Sequence, residues 1–89
     1  MQKEIKIEPL FKEGTEVIED GTKRVGVISK VRTKINKLSL TNFEIEVSYS
    51  VFRESGYNSF RSLEENLREI VYDYEGEPQV LPKGTSSNN

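Results

Sequence analysis

Any chemistry on this chain must be done with carboxylates, hydroxyls, amines and guanidinium groups, because its 89 residues include no histidine and no cysteine. The usual general base near neutral pH and the thiolate nucleophile are therefore both missing. Nine serines supply hydroxyls, but none sits in a G-x-S-x-G or S-x-x-K arrangement that would activate it. Glu64 and Glu65 are adjacent, so on a helical turn they splay about the axis and cannot work as a carboxylate pair. Glu19-Asp20-Gly21 offers oxygen ligands without the D-x-[DN]-x-[DN]-G spacing of a calcium loop, and reads instead as a turn whose aspartate caps its own backbone. Gly14, Gly21 and Gly26 are too scattered to cradle a phosphate, and no G-x-x-x-x-G-K occurs. The sequence predicts no catalytic residues, no metal and no cofactor, and so a protein that is not an enzyme.

Two groups of residues point to binding. The first is a basic stretch: Lys23, Arg24, Lys30, Arg32, Lys34 and Lys37 fall within residues 23–37, which hold no acidic residue. This segment carries +6, so with a net charge of −2 the rest of the chain carries −8. Lys30, Arg32 and Lys34 alternate with Val31, Thr33 and Ile35, which on a strand puts the cations on one face roughly 6.8 Å apart. That is the composition of a nucleic-acid-binding stripe. Against it stand the acidic pI near 5.2 and two glutamates on the following segment. The second group is Phe52, Arg53, Tyr57 and Arg61 around a turn at Glu54-Ser55-Gly56. An aromatic and arginine cluster at a loop tip suits a protein-binding hot spot. The alternative is that the sheet wraps Phe52 around its end and buries it.

The element that must carry both groups is a long antiparallel hairpin. Phe43, Ile45, Val47, Tyr49 and Val51 alternate with Glu44, Glu46, Ser48 and Ser50, so one face of each arm is buried and the other wet. A turn centred near Ser39 places Ile35 opposite Phe43 and Val31 opposite Val47, with Lys34 facing Glu44, Arg32 facing Glu46 and Lys30 facing Ser48. This register joins apolar with apolar and charge with opposite charge. It predicts Val31, Ile45 and Val47 buried together, and two of the cations neutralised within the chain.

Residues 3–8 read as a short edge strand ended by Pro9, and residues 11–18 as a turn and a second strand. Gly26 marks a bend or bulge in the strand over 24–35. Ser62 and Glu65 form a capping box for a single helical turn over 63–66, followed by a closing strand over 67–73; a longer helix over 62–71 is the alternative. The length fits one small domain, residues 1–74, with residues 75–89 a disordered tail poor in apolar side chains. Cysteine-free composition, no signal-peptide pattern and no apolar run near the ~20 residues of a membrane span predict a cytoplasmic protein without membrane contact.

Five or six short strands joined by turns give an all-β fold. Phe11-x-x-Gly14-x-x-Val17, then Val25-Gly26-Val27-Ile28, a long strand pair, and Glu64-x-x-Leu67 after Phe60 resemble the layout of Src-homology-3-like small β-barrels of the Tudor and KOW type. The resemblance covers roughly residues 10–73 and implies a small antiparallel barrel with one helical turn before its last strand. Tudor-type readers of methylated side chains build an aromatic cage. Only Tyr49, Phe52, Tyr57 and Phe60 lie in the right region here, and at least two of them are needed for the core.

Small acidic barrels of this kind commonly act as accessory or inhibitory proteins, including ones encoded by phages and mobile elements. An inhibitor of a bacterial nuclease or defence complex would fit. The expectation is therefore a binding module with a protein partner. Nucleic-acid binding through the basic strand is the first alternative, and a structural assembly subunit pairing through its strand edges the second.

Overall fold

The computed structural model describes residues 8–53 and 59–87. Tyr57, the Glu54-Ser55-Gly56 turn and all but the last residue of the expected 3–8 strand lie outside them. Six strands form: β1 (Glu16–Glu19), β2 (Val25–Lys37), β3 (Phe43–Phe52), β4 (Phe60–Leu63), β5 (Leu67–Tyr72) and β6 (Pro78–Val80), with one 3-10 turn, Glu64–Asn66, between β4 and β5. The turn and the strand after it lie where the sequence places them. The capping box does not form, because Leu63 is the residue at the cap and no side chain bonds the turn.

All pairings are antiparallel, in the order β4-β3-β2-β1-β5-β6. The sheet is open, which corrects the expected Src-homology-3-like barrel. Closure would need β4 to pair across to β5 or β6. Instead β4 pairs with β3 alone, and β5 uses its two edges on β1 and β6. The molecule is correspondingly elongated, 51 × 29 × 20 Å.

The long hairpin forms, with its register displaced by two residues from the expected one. Ile35 faces Ile45, Thr33 faces Val47, Val31 faces Tyr49, Lys34 faces Glu46 and Arg32 faces Ser48. Turn chemistry selects this register. The Ser39 hydroxyl accepts hydrogen bonds from the amides of Thr41 (3.3 Å) and Asn42 (3.1 Å), and the Leu38 amide donates to the Asn42 carbonyl. The loop is therefore centred on Leu40. A shift of two keeps every side chain on its face, so the faces are as expected while the partners differ.

A bulge at Ser29, not at Gly26, interrupts β2 between Ile28 and Lys30. It reverses the parity of the strand, so that Gly26 and Ile28 before it share the inner face with Val31, Thr33 and Ile35 after it. The core on that face is Phe11, Val17, Ile28, Tyr49, Val51 and Leu67, with Leu10, Val31, Val47 and Phe60 packed against it. The Tyr49 hydroxyl donates to Glu64 Oε1 (2.6 Å) and accepts from the Phe11 amide (3.2 Å), while the Leu10 amide donates to the same Oε1 (2.7 Å). Ile45, expected in the core, is 42 % exposed, because the hairpin runs past the strands that would cover it.

Residues 75–87 also differ from the expected disordered tail. Asp73 Oδ1 accepts from the Glu75 and Glu77 amides, turning the chain back into β6. The Leu81 amide then donates to the Glu69 carbonyl. Ser87 donates its amide and its hydroxyl to the buried Glu69 carboxylate.

Two outcomes test this arrangement by urea denaturation. Ile28→Ala should cost ~2–5 kcal/mol and Ile45→Ala less than ~1 kcal/mol, since the first empties the core and the second trims an exposed cross-strand pair. Removal of residues 84–89 should lower stability by about 0.5–1.5 kcal/mol through the lost Glu69 bonds. An unmoved midpoint would show that the tail does not cover Glu69.

Candidate binding surfaces

The two faces of the β2–β3 hairpin present different chemistry. β1 accompanies β2 only as far as Val27, and β4 accompanies β3 only over Ser48–Val51. Beyond those neighbours the hairpin continues as a two-stranded ribbon. Its inner face carries the core's apolar row outward, uncovered by the described residues: Ile35 is 52 %, Phe43 52 % and Ile45 42 % exposed, and Leu38 and Leu40 at the tip are more exposed still. Sequence patterning missed this surface, because alternation marks an apolar face and says nothing of what lies against it. The available signal was length. Strands of 13 and 10 residues cannot be covered along their whole run by neighbours of four.

The outer face gathers residues that the sequence places in two separate groups. Along β3 it shows Phe52, Ser50, Ser48 and Glu46 in turn; Lys30 and Arg61 flank Ser50, Arg32 and Leu63 flank Ser48, and Lys34 faces Glu46. Arg32, Lys34 and Arg61 line one open concavity of about 760 Å³ with Glu46, Ser48 and Leu63. Phe52, half exposed and not buried around a sheet end, lines a neighbouring notch of about 300 Å³ with Val25, Val27 and Glu16. Arg53 follows β3 half-buried, and Tyr57 lies outside the described residues.

The expected internal neutralisation is corrected by the register. Arg32 faces Ser48 and Glu44 faces Asn36, while the Glu46 carboxylate accepts from Asn36 Nδ2 at 3.4 Å. Lys30, Arg32, Lys34 and Arg61 form no ion pair with a described carboxylate; the ion pairs among the described residues join Arg24 to Glu19, and Arg68 and Lys83 to Asp20.

The other basic residues of the stretch leave the stripe. Lys37 faces Phe43 on the ribbon's apolar side, and exposed Lys23 sits in the β1–β2 turn with a φ of 61°. Arg24 is structural. Its Nε and Nη2 donate to Glu19 Oε1 at 3.0 and 2.7 Å, and its guanidinium lies 4.0 Å from the Phe60 ring centroid. Burial by itself pushes the Glu19 carboxyl up. Hydrogen bonds from Thr22 and Arg24, together with the Arg24 charge, outweigh this and hold it below the ordinary carboxylate range.

No group of three or more His, Cys, Asp or Glu side chains is gathered as a metal site among the described residues. No helix among them is long and apolar enough to cross a membrane. No protein-family model matches the chain, and neither a curated protein nor a solved structure matches it.

Glu19 gives this region a pH signature. A carboxyl whose folded pKa lies below its unfolded value stabilises the fold above the unfolded value of ~4.3, and that stabilisation disappears as the pH falls through the folded pKa. Stability should therefore drop below about pH 4.3, and Glu19→Gln should flatten that drop when denaturation midpoints are compared across pH 2.5–7. An unchanged acid limb would mean that Glu19 is not held below its unfolded pKa.

Proposed function

We propose that this chain is a non-enzymatic binding module that holds a protein partner on the uncovered inner face of its β2–β3 ribbon. The observation that carries this reading is the row of Ile35, Phe43 and Ile45, each more than 40 % exposed in a chain with only 34 % hydrophobic residues. A core so short of apolar material has reason to bury them, and an apolar patch left out in that setting marks a contact surface. The patch has the anatomy of an interface. An aromatic anchor, Phe43, lies beside two isoleucines, and polar residues such as Lys37 and Asn42 rim it. The partner is a protein presenting a complementary apolar surface. The role is that of an accessory or inhibitory protein, which acts by occupying a surface.

Affinity capture from the source cells tests this, using tagged wild type, Phe43→Ala, Leu40→Ser and Arg32→Ala, all after nuclease treatment. One protein should be recovered with wild type and with Arg32→Ala, and lost or much reduced with the two ribbon variants. Phe43→Ala should cost the complex ~2 kcal/mol or more while leaving the melting midpoint nearly unmoved. Recovery indifferent to Phe43 and Leu40 would overturn the reading. So would a wild-type dimer in analytical ultracentrifugation that Phe43→Ala converts to a monomer, since the ribbon would then be covered by a second copy.

A further inference from the structure

On the opposite side of the same hairpin, we infer a second site: the outer face of β2, β3 and β4 binds an extended single strand of nucleic acid. This inference stands independently of the protein partner, because it uses none of the ribbon's apolar residues. Four observations carry it. First, Lys30, Arg32 and Lys34 project from one face of β2 at strand spacing, roughly 6.8 Å apart, which is of the order of the distance between successive phosphates of an extended strand. Second, Arg61 joins them from β4, across Ser50. Arg32, Lys34 and Arg61 line one concavity with Ser48, Lys30 stands across Ser50 from Arg61, and none of the four forms an ion pair with a described carboxylate.

Third, the row ends on Phe52, which is 51 % exposed beside the notch formed with Val25 and Val27. A half-exposed ring next to a line of cations is the combination that single-strand binding requires. The cations track phosphates, and the ring offers a face on which an unpaired base can stack. A duplex keeps its bases paired and stacked and has no such base to offer Phe52.

Fourth, charge is sorted to make the face possible. The chain carries a net −2, yet the acidic residues of β3 lie at the far end of this surface, Glu46 opposite Lys34 and Glu44 opposite Asn36, while Glu16, in the notch beside Phe52, accepts from the Tyr72 hydroxyl. The end nearest Phe52, with Lys30, Arg32 and Arg61, is the cationic one. The strand is therefore placed with its phosphates over Lys30, Arg32 and Arg61 and one base on Phe52, with Glu46 limiting the footprint. A site of two or three phosphates binds weakly and is strongly salt-dependent.

The test is fluorescence anisotropy with labelled fifteen-nucleotide oligo-dT and oligo-U across 0.02–0.2 M NaCl, with a fifteen-base-pair duplex and heparin as competitors. Wild type should bind the single strands, and Lys30→Ala, Arg32→Ala and Arg61→Ala should each flatten the slope of log affinity against log salt by about 0.7. Phe52→Ala should weaken binding by roughly tenfold without changing that slope. Phe43→Ala should bind as wild type does, which separates this site from the protein-binding ribbon. Circular dichroism of each variant controls for folding. The inference is overturned if the single strands do not bind at 0.02 M NaCl, if duplex and single strand bind equally, or if Phe52→Ala has no effect. In the last case the face is a polyanion surface only.

Discussion

The Tyr49 hydroxyl is the interaction on which the rest of this fold rests. An open sheet has one apolar face to cover and no second sheet to cover it, so the cover must come from loops. Here the Leu10–Phe11 segment and the Glu64–Asn66 turn both meet at the same buried tyrosine on the middle of β3. The hydroxyl donates to the Glu64 carboxylate and accepts from the Phe11 amide, and the Leu10 amide completes the triangle on the same Glu64 oxygen. The Phe11 ring packs on that of Tyr49 with centroids 5.4 Å apart. Burial, and then the bond to Glu64, push the phenol well above its ordinary range. A charge-assisted bond of this kind, shielded from water, is stronger than a neutral surface one.

The bulge at Ser29 has a comparable reach into function. Without it, the inner-facing Gly26 and Ile28 would be in phase with Lys30, Arg32 and Lys34, and the cations would turn toward the core. The one extra residue puts the charges outside and Val31, Thr33 and Ile35 inside. Gly26 contributes on the same strand. A Cβ there would lie 2.5 Å from the Phe52 carbonyl oxygen and 2.6 Å from Val51 Cγ1, so the end of β3 can lie against β2 only because the side chain is missing. Val51 then points into the core and Phe52 outward. The exposed aromatic of the outer face is thus set by a glycine and a bulge on the neighbouring strand.

What the sequence disclosed follows from how local each signal is. The alternation in residues 43–51, the turn between the hairpin arms and the turn before Leu67 are short-range features, and strands and turns appear there. Closure of the sheet is a long-range property. It depends on whether β4 finds a second partner, and nothing within Phe60–Leu63 encodes that. The register failed for a different reason. Displacements of two preserve both faces, so pairing of Lys34 with Glu44 or with Glu46 satisfies the pattern equally, and the Ser39 hydroxyl decides between them. Exposure of Ile45 and Phe43 was illegible because alternation reports a face and not its cover. The tail was misjudged because its holding contacts are polar. Ser87 bonds the Glu69 carboxylate, and composition counts only apolar side chains. For the candidate binding residues, types were legible and grouping was not: Phe52, Arg61 and the basic stripe become neighbours only through the β2–β3–β4 pairings.

A ribbon that leaves its sheet inherits the alternation of the strands that form it, and so has one wet and one apolar side wherever it goes. In the body of the protein the apolar side is core; in the arm the same row has no core to enter. An isolated two-stranded ribbon is marginal in water, and cross-strand pairs such as Ile35 with Ile45 help to hold it together. The apolar face therefore serves the arm's own stability while remaining available to a partner, which makes it costly to replace with charge even where nothing covers it. The cationic side obeys other rules. Its attraction reaches only about a Debye length, ~8 Å at physiological salt, whereas contact on the apolar side is largely indifferent to salt. A protein on the apolar arm and a nucleic-acid strand on the cationic face, bound as proposed, would not compete for surface, and ionic strength would separate their contributions. The arrangement follows from one strand pair outrunning its neighbours and from one inserted residue deciding which side each charge takes.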